Sequence, residues 1–249
     1  MLPPPSEPVR ALRLKTFGLT ESEVNDRLAG LEEKYGIVLG YRASFPEIEV
    51  KILARGGDSE RLESHVRAAA DAVRARIGER YVYGEGNVTL AGAVGELLAN
   101  CGLRLALAES CTGGLVSSLV TEVSGSSRYY VGGVVAYDNA VKCSLLGVGA
   151  DTLGDQGAVS EAVARQMAEG ARRALRADVA LALTGIAGPG GGSDEKPVGL
   201  VHWAVASEHG TVAKNHVFWG TRKQIQMRSA FAGLSTLRDV LLEGPVRSG

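Results

Sequence analysis

The sequence has only three cysteines, Cys101, Cys111 and Cys143, and no two of them stand at a paired spacing. That excludes a disulfide framework and predicts a reducing, cytoplasmic setting. No apolar run approaches the roughly 20 residues that a membrane-spanning helix needs. The first residues, Met1-Leu2-Pro3-Pro4-Pro5-Ser6-Glu7-Pro8, lack the basic and apolar regions of a signal peptide. Excess charge is missing as well, with 27 basic against 28 acidic residues and a net charge of −1. Residues before Asn87 carry 13 basic and 14 acidic side chains and the rest carry 14 of each, so neither part is a basic footprint for nucleic acid. The four histidines form no metal set: His65 is remote, and His202, His209 and His216 lie seven apart without an HxxxH pair. Three catalytic signatures are also absent. No Gly-Lys-Ser/Thr follows the glycine run at 185–192, and Ser110 sits in neither GxSxG nor SxxK.

What is present divides into two segments, with no internal repeat or low-complexity tract. After a Pro-rich lead, Leu12–Phe17 reads as a strand, and Thr20-Glu21-Ser22-Glu23 as a capping box opening a helix from about Glu21 to Leu31. Leu19 and Val24 occupy hydrophobic-staple positions around it. Ile37–Tyr41 and Ile48–Leu53 read as strands, the second alternating Ile48, Val50 and Ile52 with Glu49 and Lys51. Leu62, Val66, Ala69, Val73 and Ile77 trace one face of a helix starting near Asp58 or Ser59. Strand, helix, strand, strand, helix predicts a small α+β domain over about 9–80 that resembles a KH module. It lacks the GxxG loop with which KH domains clamp a nucleic-acid backbone, so a packing or spacer role is expected. Arg80–Leu90 is glycine-punctuated and reads as a linker.

The second segment, about 88–243, is organised around Leu103–Leu119. Leu103–Ala108 has the length and composition of a strand buried on both faces. From Leu115 the spacing turns helical, with Leu115, Leu119 and Val123 on one face. Val131–Tyr137 and Val179–Thr184 read as further buried strands, and Val141–Leu146 as a short helix. Ser160 caps a helix bearing Val163, Met167, Ala171 and Ala174. Val198–Ala206 and Thr211–Trp219 form a hairpin, and a last helix runs from about Lys223 to Leu242 with Met227, Phe231, Leu234 and Leu241 inward. This predicts a layered α/β/α domain.

Loops at the carboxyl ends of such strands gather into a site. Ser110, Tyr137 and Thr184 stand at three of those ends. The Glu109-Ser110-Cys111-Thr112-Gly113-Gly114 turn presents a hydroxyl and a thiol before a helix N-terminus, which suits a nucleophile beside an oxyanion hole, an anion site, or an ordinary Ser N-cap. Lys142 lies five residues beyond Tyr137 in the opening turn of a helix, where partial desolvation lowers an ammonium pKa toward that of a general base. Serine–lysine pairs are a recognised form of activated nucleophile. Plainer roles stay open: Cys111 as nucleophile or buried thiol, Lys142 as base or solvated helix residue, Tyr137 as strand-end aromatic, Thr184 as turn former, and Glu109 as partner of Lys142 or surface ion pair.

Ala108-Glu109-Ser110-Cys111-Thr112-Gly113-Gly114, Gly125-Ser126-Ser127, Tyr137 with Lys142, Leu183-Thr184-Gly185-Ile186-Ala187-Gly188-Pro189-Gly190-Gly191 and Lys196-Pro197-Val198-Gly199 closely resemble the competence/damage-inducible CinA family. The resemblance runs from about Val88 to Leu242. Lys15-Thr16-Phe17-Gly18 and Gly40-Tyr41-Arg42-Ala43-Ser44-Phe45-Pro46-Glu47 resemble that family's KH-like middle part. The resemblance implies hydrolysis of nicotinamide mononucleotide to nicotinate mononucleotide and ammonia, with Ser110 as nucleophile, Lys142 as base and Tyr137 assisting. It places Glu109, Cys111, Thr112, Gly113, Gly114, Thr184, Gly185 and Arg222 at the substrate, the Cys111–Gly114 turn holding the oxyanion. No metal or organic cofactor is implied, and the reading as a whole expects a nucleotide substrate, no nucleic-acid or membrane partner, and a homo-oligomer. A rival from another class is a non-catalytic interaction protein in competence or DNA-damage responses. Full-length members begin with a molybdopterin-binding-like domain bearing ADP-ribose pyrophosphatase activity, which this chain is expected to lack. One departure stands out: the family shows a second arginine four residues after the position of Arg222, and Gln226 occupies it here. Arg228 points about 200° around the helix from residue 226.

Overall fold

The computed structural model describes residues 7–56 and 58–244. The chain divides between Thr89 and Leu90 into two compact units. In the first, β1 (Val9–Thr16) is followed by α1 (Glu21–Leu28), α2 (Leu31–Tyr35), β2 (Val38–Ser44), β3 (Glu47–Arg55), α3 (Ser59–Ile77) and β4 (Val82–Glu85). The capping box forms: Thr20 Oγ1 accepts from Glu23 N, and Glu23 Oε2 accepts from Thr20 N at 2.7 Å. The helix expected to reach Leu31 ends at Leu28 instead, because Gly30 takes a left-handed φ of 80° and starts α2. The four strands run antiparallel in the order β2-β3-β1-β4. The buried positions of α3, including Leu62, Val66, Val73 and Ile77, meet Leu14, Val50 and Ile52 of the sheet in one core.

The Arg80–Leu90 linker is corrected. Val82–Glu85 is β4, which pairs with β1 through Leu14 opposite Glu85. Phe17 N donates to Tyr81 O at 3.0 Å just before it. A four-residue strand punctuated by Gly84 has too little pattern to stand out in sequence, and it forms because β1 offers it a free edge.

The second unit comprises α4 (Leu90–Cys101), β5 (Leu105–Glu109), α5 (Leu115–Thr121), β6 (Tyr130–Val135), α6 (Asn139–Leu146), α7 (Ala150–Gln156), α8 (Glu161–Ala174), β7 (Val179–Gly185), β8 (Leu200–Ser207), β9 (Gly210–Val217) and α9 (Arg222–Glu243). Its sheet has the order β6-β5-β7-β8-β9, parallel across the first three strands and antiparallel across the last two. Strand alternation sorts the two faces by size. Ala106, Ala180 and Ala206 lie in register across three strands, as do Ala108, Ala182 and Ala204. This alanine face receives Val163, Ala164, Met167, Ala168 and Ala171 of α8. Close approach continues behind it, since a side chain on Gly170 would place its Cβ 1.8 Å from Leu146 O. The opposite face carries Leu181 and Leu183, which fill the space in front of Gly233 on α9. Trp203 donates its indole N–H to Thr236 on the same helix at 2.9 Å.

Two expectations about burial change. β6 is an edge strand with a half-exposed pattern rather than a buried one, since it pairs with β5 alone. On α5 the buried residues are Val116 and Val120, one position on from Leu115 and Leu119, and Val123 lies past the helix end. The rotation follows from what grips the start of the helix.

Candidate active site

Parallel pairing levels the carboxyl ends of β5, β6 and β7. Glu109 lies opposite Val135 on one side and Leu183 on the other. Ser110 N continues the ladder to Leu183 O at 3.0 Å, and Ala136 N donates to Glu109 O at 2.8 Å. Ser110, Tyr137 and Thr184 therefore emerge side by side.

Glu109 is buried and does not face the opening. Its Oε2 accepts from Gly114 N and Val116 N, both at 3.0 Å, and its Oε1 accepts from Ser117 N at 2.8 Å and Ser117 Oγ at 2.7 Å. Tyr130 OH then donates to Ser117 Oγ at 2.9 Å. The positive end of α5 is thus filled by a side chain of the preceding strand, and that grip sets the helix rotation. This corrects the expectation that the helix N-terminus faces a substrate and that Glu109 touches one. Gly113, at φ 62°, and Gly114, at φ 98°, let the chain turn back over the carboxylate.

Most donors of the turn are spent in the same way. Gly113 N bonds Ser110 O, and Leu115 N bonds Thr112 O. Among the described residues, the N–H groups of Cys111 and Thr112 are left without a protein acceptor.

In front of the turn is a cavity of about 220 Å³ lined by Ser110, Cys111, Tyr137, Asn139, Lys142, Ala158, Val159, Thr184, Gly185, Ala187 and Arg222. It brings together seven of the residues expected at the site. Thr112, Gly113 and Gly114 are not among its lining. Asp138 caps α6 by accepting from Ala140 N at 2.7 Å, which turns Lys142 inward to 1% exposure. Lys142 Nζ donates to Tyr137 O at 3.1 Å rather than to Ser110. Burial lowers its pKa, against the opposing pull of the Asp138 carboxylate. Burial raises the Cys111 thiol to about 12, so it stays protonated.

Thr184 Oγ1 donates to Ala158 O at 2.7 Å and so anchors the wall formed by Ala158 and Val159. The same wall is held by Lys196, whose Nζ donates to Val159 O at 2.8 Å and to Gln156 O. Gly185 has no room for a side chain, because a Cβ there would stand 2.6 Å from Val201. Arg222 donates to Gly188 O at 2.8 Å and to Tyr137 OH at 3.1 Å. These contacts leave further guanidinium N–H groups for a ligand. Among the described residues no carboxylate lines the cavity, and Arg222 brings a guanidinium to it.

A known family model, the CinA C-terminal domain, matches residues 87–241. The damage-inducible protein CinA KH domain matches residues 13–84. The chain belongs to the CinA family. A CinA-like protein of Geobacter sulfurreducens is 44% identical over 237 residues, covering 95% of this chain and 57% of its own length. A putative competence-damage inducible protein of Halothermothrix orenii is 43% identical over 199 residues, covering 80% of this chain and 48% of the relative. The chain thus spans about half the length of these curated relatives. Among solved structures, the competence/damage inducible protein CihA of Agrobacterium tumefaciens is 43% identical with a TM-score of 0.60, over 62% of this chain and 94% of that one. A CinA superfamily protein from Klebsiella pneumoniae gives 32% and 0.61 over 62% and 97%.

Sequence reasoning on this CinA chain missed Asn139, Ala158, Val159 and Ala187 in the cavity and the contact made by Gln226. Asn139 follows the Asp138 cap, a signal that was available. The wall residues carried none, because their placement depends on Thr184 and Lys196. In sequence Gln226 stands out only for the arginine it replaces, yet its Nε2 donates to Cys111 O at 2.8 Å.

Proposed function

We propose that this chain hydrolyses nicotinamide mononucleotide to nicotinate mononucleotide and ammonia through an acyl intermediate on Ser110. The observation that carries the reading is Lys142, a buried lysine in the same cavity as a serine hydroxyl, with burial disfavouring its charged form. A neutral amine has a lone pair to take the serine proton, and still donates to Tyr137 O.

In this mechanism Lys142 removes the proton from Ser110 Oγ, which attacks the carboxamide carbon of the nicotinamide ring. The N–H of Cys111, which lines the cavity, holds the oxyanion as it forms. Lys142 returns the proton to the leaving nitrogen, and ammonia departs. Water, deprotonated by Lys142, then hydrolyses the ester and regenerates Ser110. Arg222 at the cavity supplies positive charge for the nucleotide phosphate, and Tyr137 borders the ring's approach. No step calls on a metal or an organic cofactor.

The deciding experiment is ammonia release from nicotinamide mononucleotide by the purified chain, with Ser110→Ala as control. Release by the wild type and not by the variant supports the reading. No ammonia from the wild type returns the chain to the non-catalytic interaction role.

A further inference from the structure

The turn that carries Ser110 is gripped from two sides. Glu109 takes its far end, through Gly114, Val116 and Ser117. Its near end is gripped by Gln226, which reaches across from α9 to the carbonyl of Cys111. Pinning Cys111 O toward α9 therefore fixes the orientation of Cys111, which lines the cavity and whose own N–H has no protein acceptor among the described residues.

We infer that Gln226 is a positioning residue for catalysis, acting through the Cys111 carbonyl to hold the Ser110 hydroxyl and the oxyanion-binding Cys111 N–H in place at the cavity. The inference rests on the serine-amidase reading above and adds to it a residue that touches no reacting atom. Gln226 does not line the cavity, so its effect does not pass through direct substrate contact. Arg222, one turn earlier on α9, reaches Gly188 O and Tyr137 OH instead. The helix thus separates two tasks, with Arg222 at the cavity and Gln226 behind the nucleophile turn.

A donor aimed at the oxyanion acts on the transition state more than on bound substrate, so its loss falls on kcat. Gln226→Ala and Gln226→Glu remove the donor, while Gln226→Arg keeps one at the same position. Two assays are run on the full chain: steady-state amidase kinetics, and acylation of Ser110 by p-nitrophenyl acetate, which needs an oxyanion hole and no nucleotide contact. The Ala and Glu variants are expected to lose about 10- to 100-fold in kcat, the scale of a slightly misaimed catalytic group. Their KM and melting temperature should hold, their acylation should slow by the same factor, and Arg should restore both rates. A raised KM with unchanged kcat and acylation overturns the inference, as does equal loss in all three variants. Should the wild type release no ammonia yet be acylated on Ser110, slower acylation in Ala and Glu still supports the role of Gln226 while the substrate assignment falls. Absence of wild-type acylation overturns both.

Discussion

Glu109 Oε1 accepts both the amide and the hydroxyl of Ser117, at 2.8 and 2.7 Å, so one carboxylate joins the end of β5 to the first turn of α5. Its other oxygen takes Gly114 N and Val116 N. A residue that reads in sequence as a ligand contact is, in the fold, a buried cap.

The cap sets the first prediction. Glu109→Gln keeps the size but leaves one accepting oxygen for donors that now share two. Stability should fall by about 1–3 kcal/mol, the cost of stranding buried donors, with turnover falling alongside because the Ser110 turn loosens. Tyr130→Phe should cost about 0.5–1.5 kcal/mol, the net value of one hydrogen bond, since Ser117 keeps Glu109. Urea denaturation midpoints measure both, and an unchanged midpoint for Glu109→Gln would rule out the capping role.

The nucleophile comes next. Ser110→Ala should reduce kcat by about 10⁴-fold or more, as when a serine nucleophile is removed elsewhere. Cys111→Ala should retain most activity, since burial holds that thiol protonated with a pKa of about 12. The opposite pattern would move the chemistry to sulfur.

Lys142 makes a prediction of definite sign. Its folded-state pKa is lowered, so the unfolded chain binds the proton more tightly. Stability therefore rises with pH from the lowered value up to the ordinary lysine range and is penalised below it. Lys142→Met removes the penalty and should melt at or above the wild-type temperature at neutral pH while losing amidase activity. In the wild type, kcat/KM should climb with pH as the lysine deprotonates. A profile that stays flat as pH rises, together with an active Met variant, would remove Lys142 from the mechanism.

The chain division gives a fourth. Every residue assigned to the site lies between Glu109 and Gln226, within the unit that starts at Leu90. A fragment of residues 87–249 should fold and keep its amidase activity. The complementary fragment 7–86 should give a cooperative melt, whereas 7–80 should not, because it lacks β4 and leaves an edge of β1 bare. Circular dichroism melts distinguish the two, and equal stability would show that β4 contributes nothing to the small sheet.

Local signals carried much of the architecture. The apolar runs at Leu105–Glu109 and Val179–Gly185 are buried strands, Thr20 and Ser160 cap the helices they precede, and Ser207–Gly210 turns a hairpin. Each depends on residues a few positions apart, so the chain carries the information in its own order. Strand ends followed by Ser110, Tyr137 and Thr184 were legible for the same reason.

Other features arise only when distant parts meet. Alternation places Glu109 on the face of Leu105 and Leu107, but the helix that its carboxylate caps is found only after the chain has turned back at Gly113 and Gly114. β4 is a strand because β1, some seventy residues earlier, lies open beside it. Thr184 meets Ala158 across 26 residues, Arg222 meets Tyr137 across 85, and Gln226 meets Cys111 across 115. Hydrogen bonds at such separations leave no period or spacing in sequence. The composition of the nucleophile turn was set by the order of residues, whereas its aim was decided by the sheet that brings α9 against it.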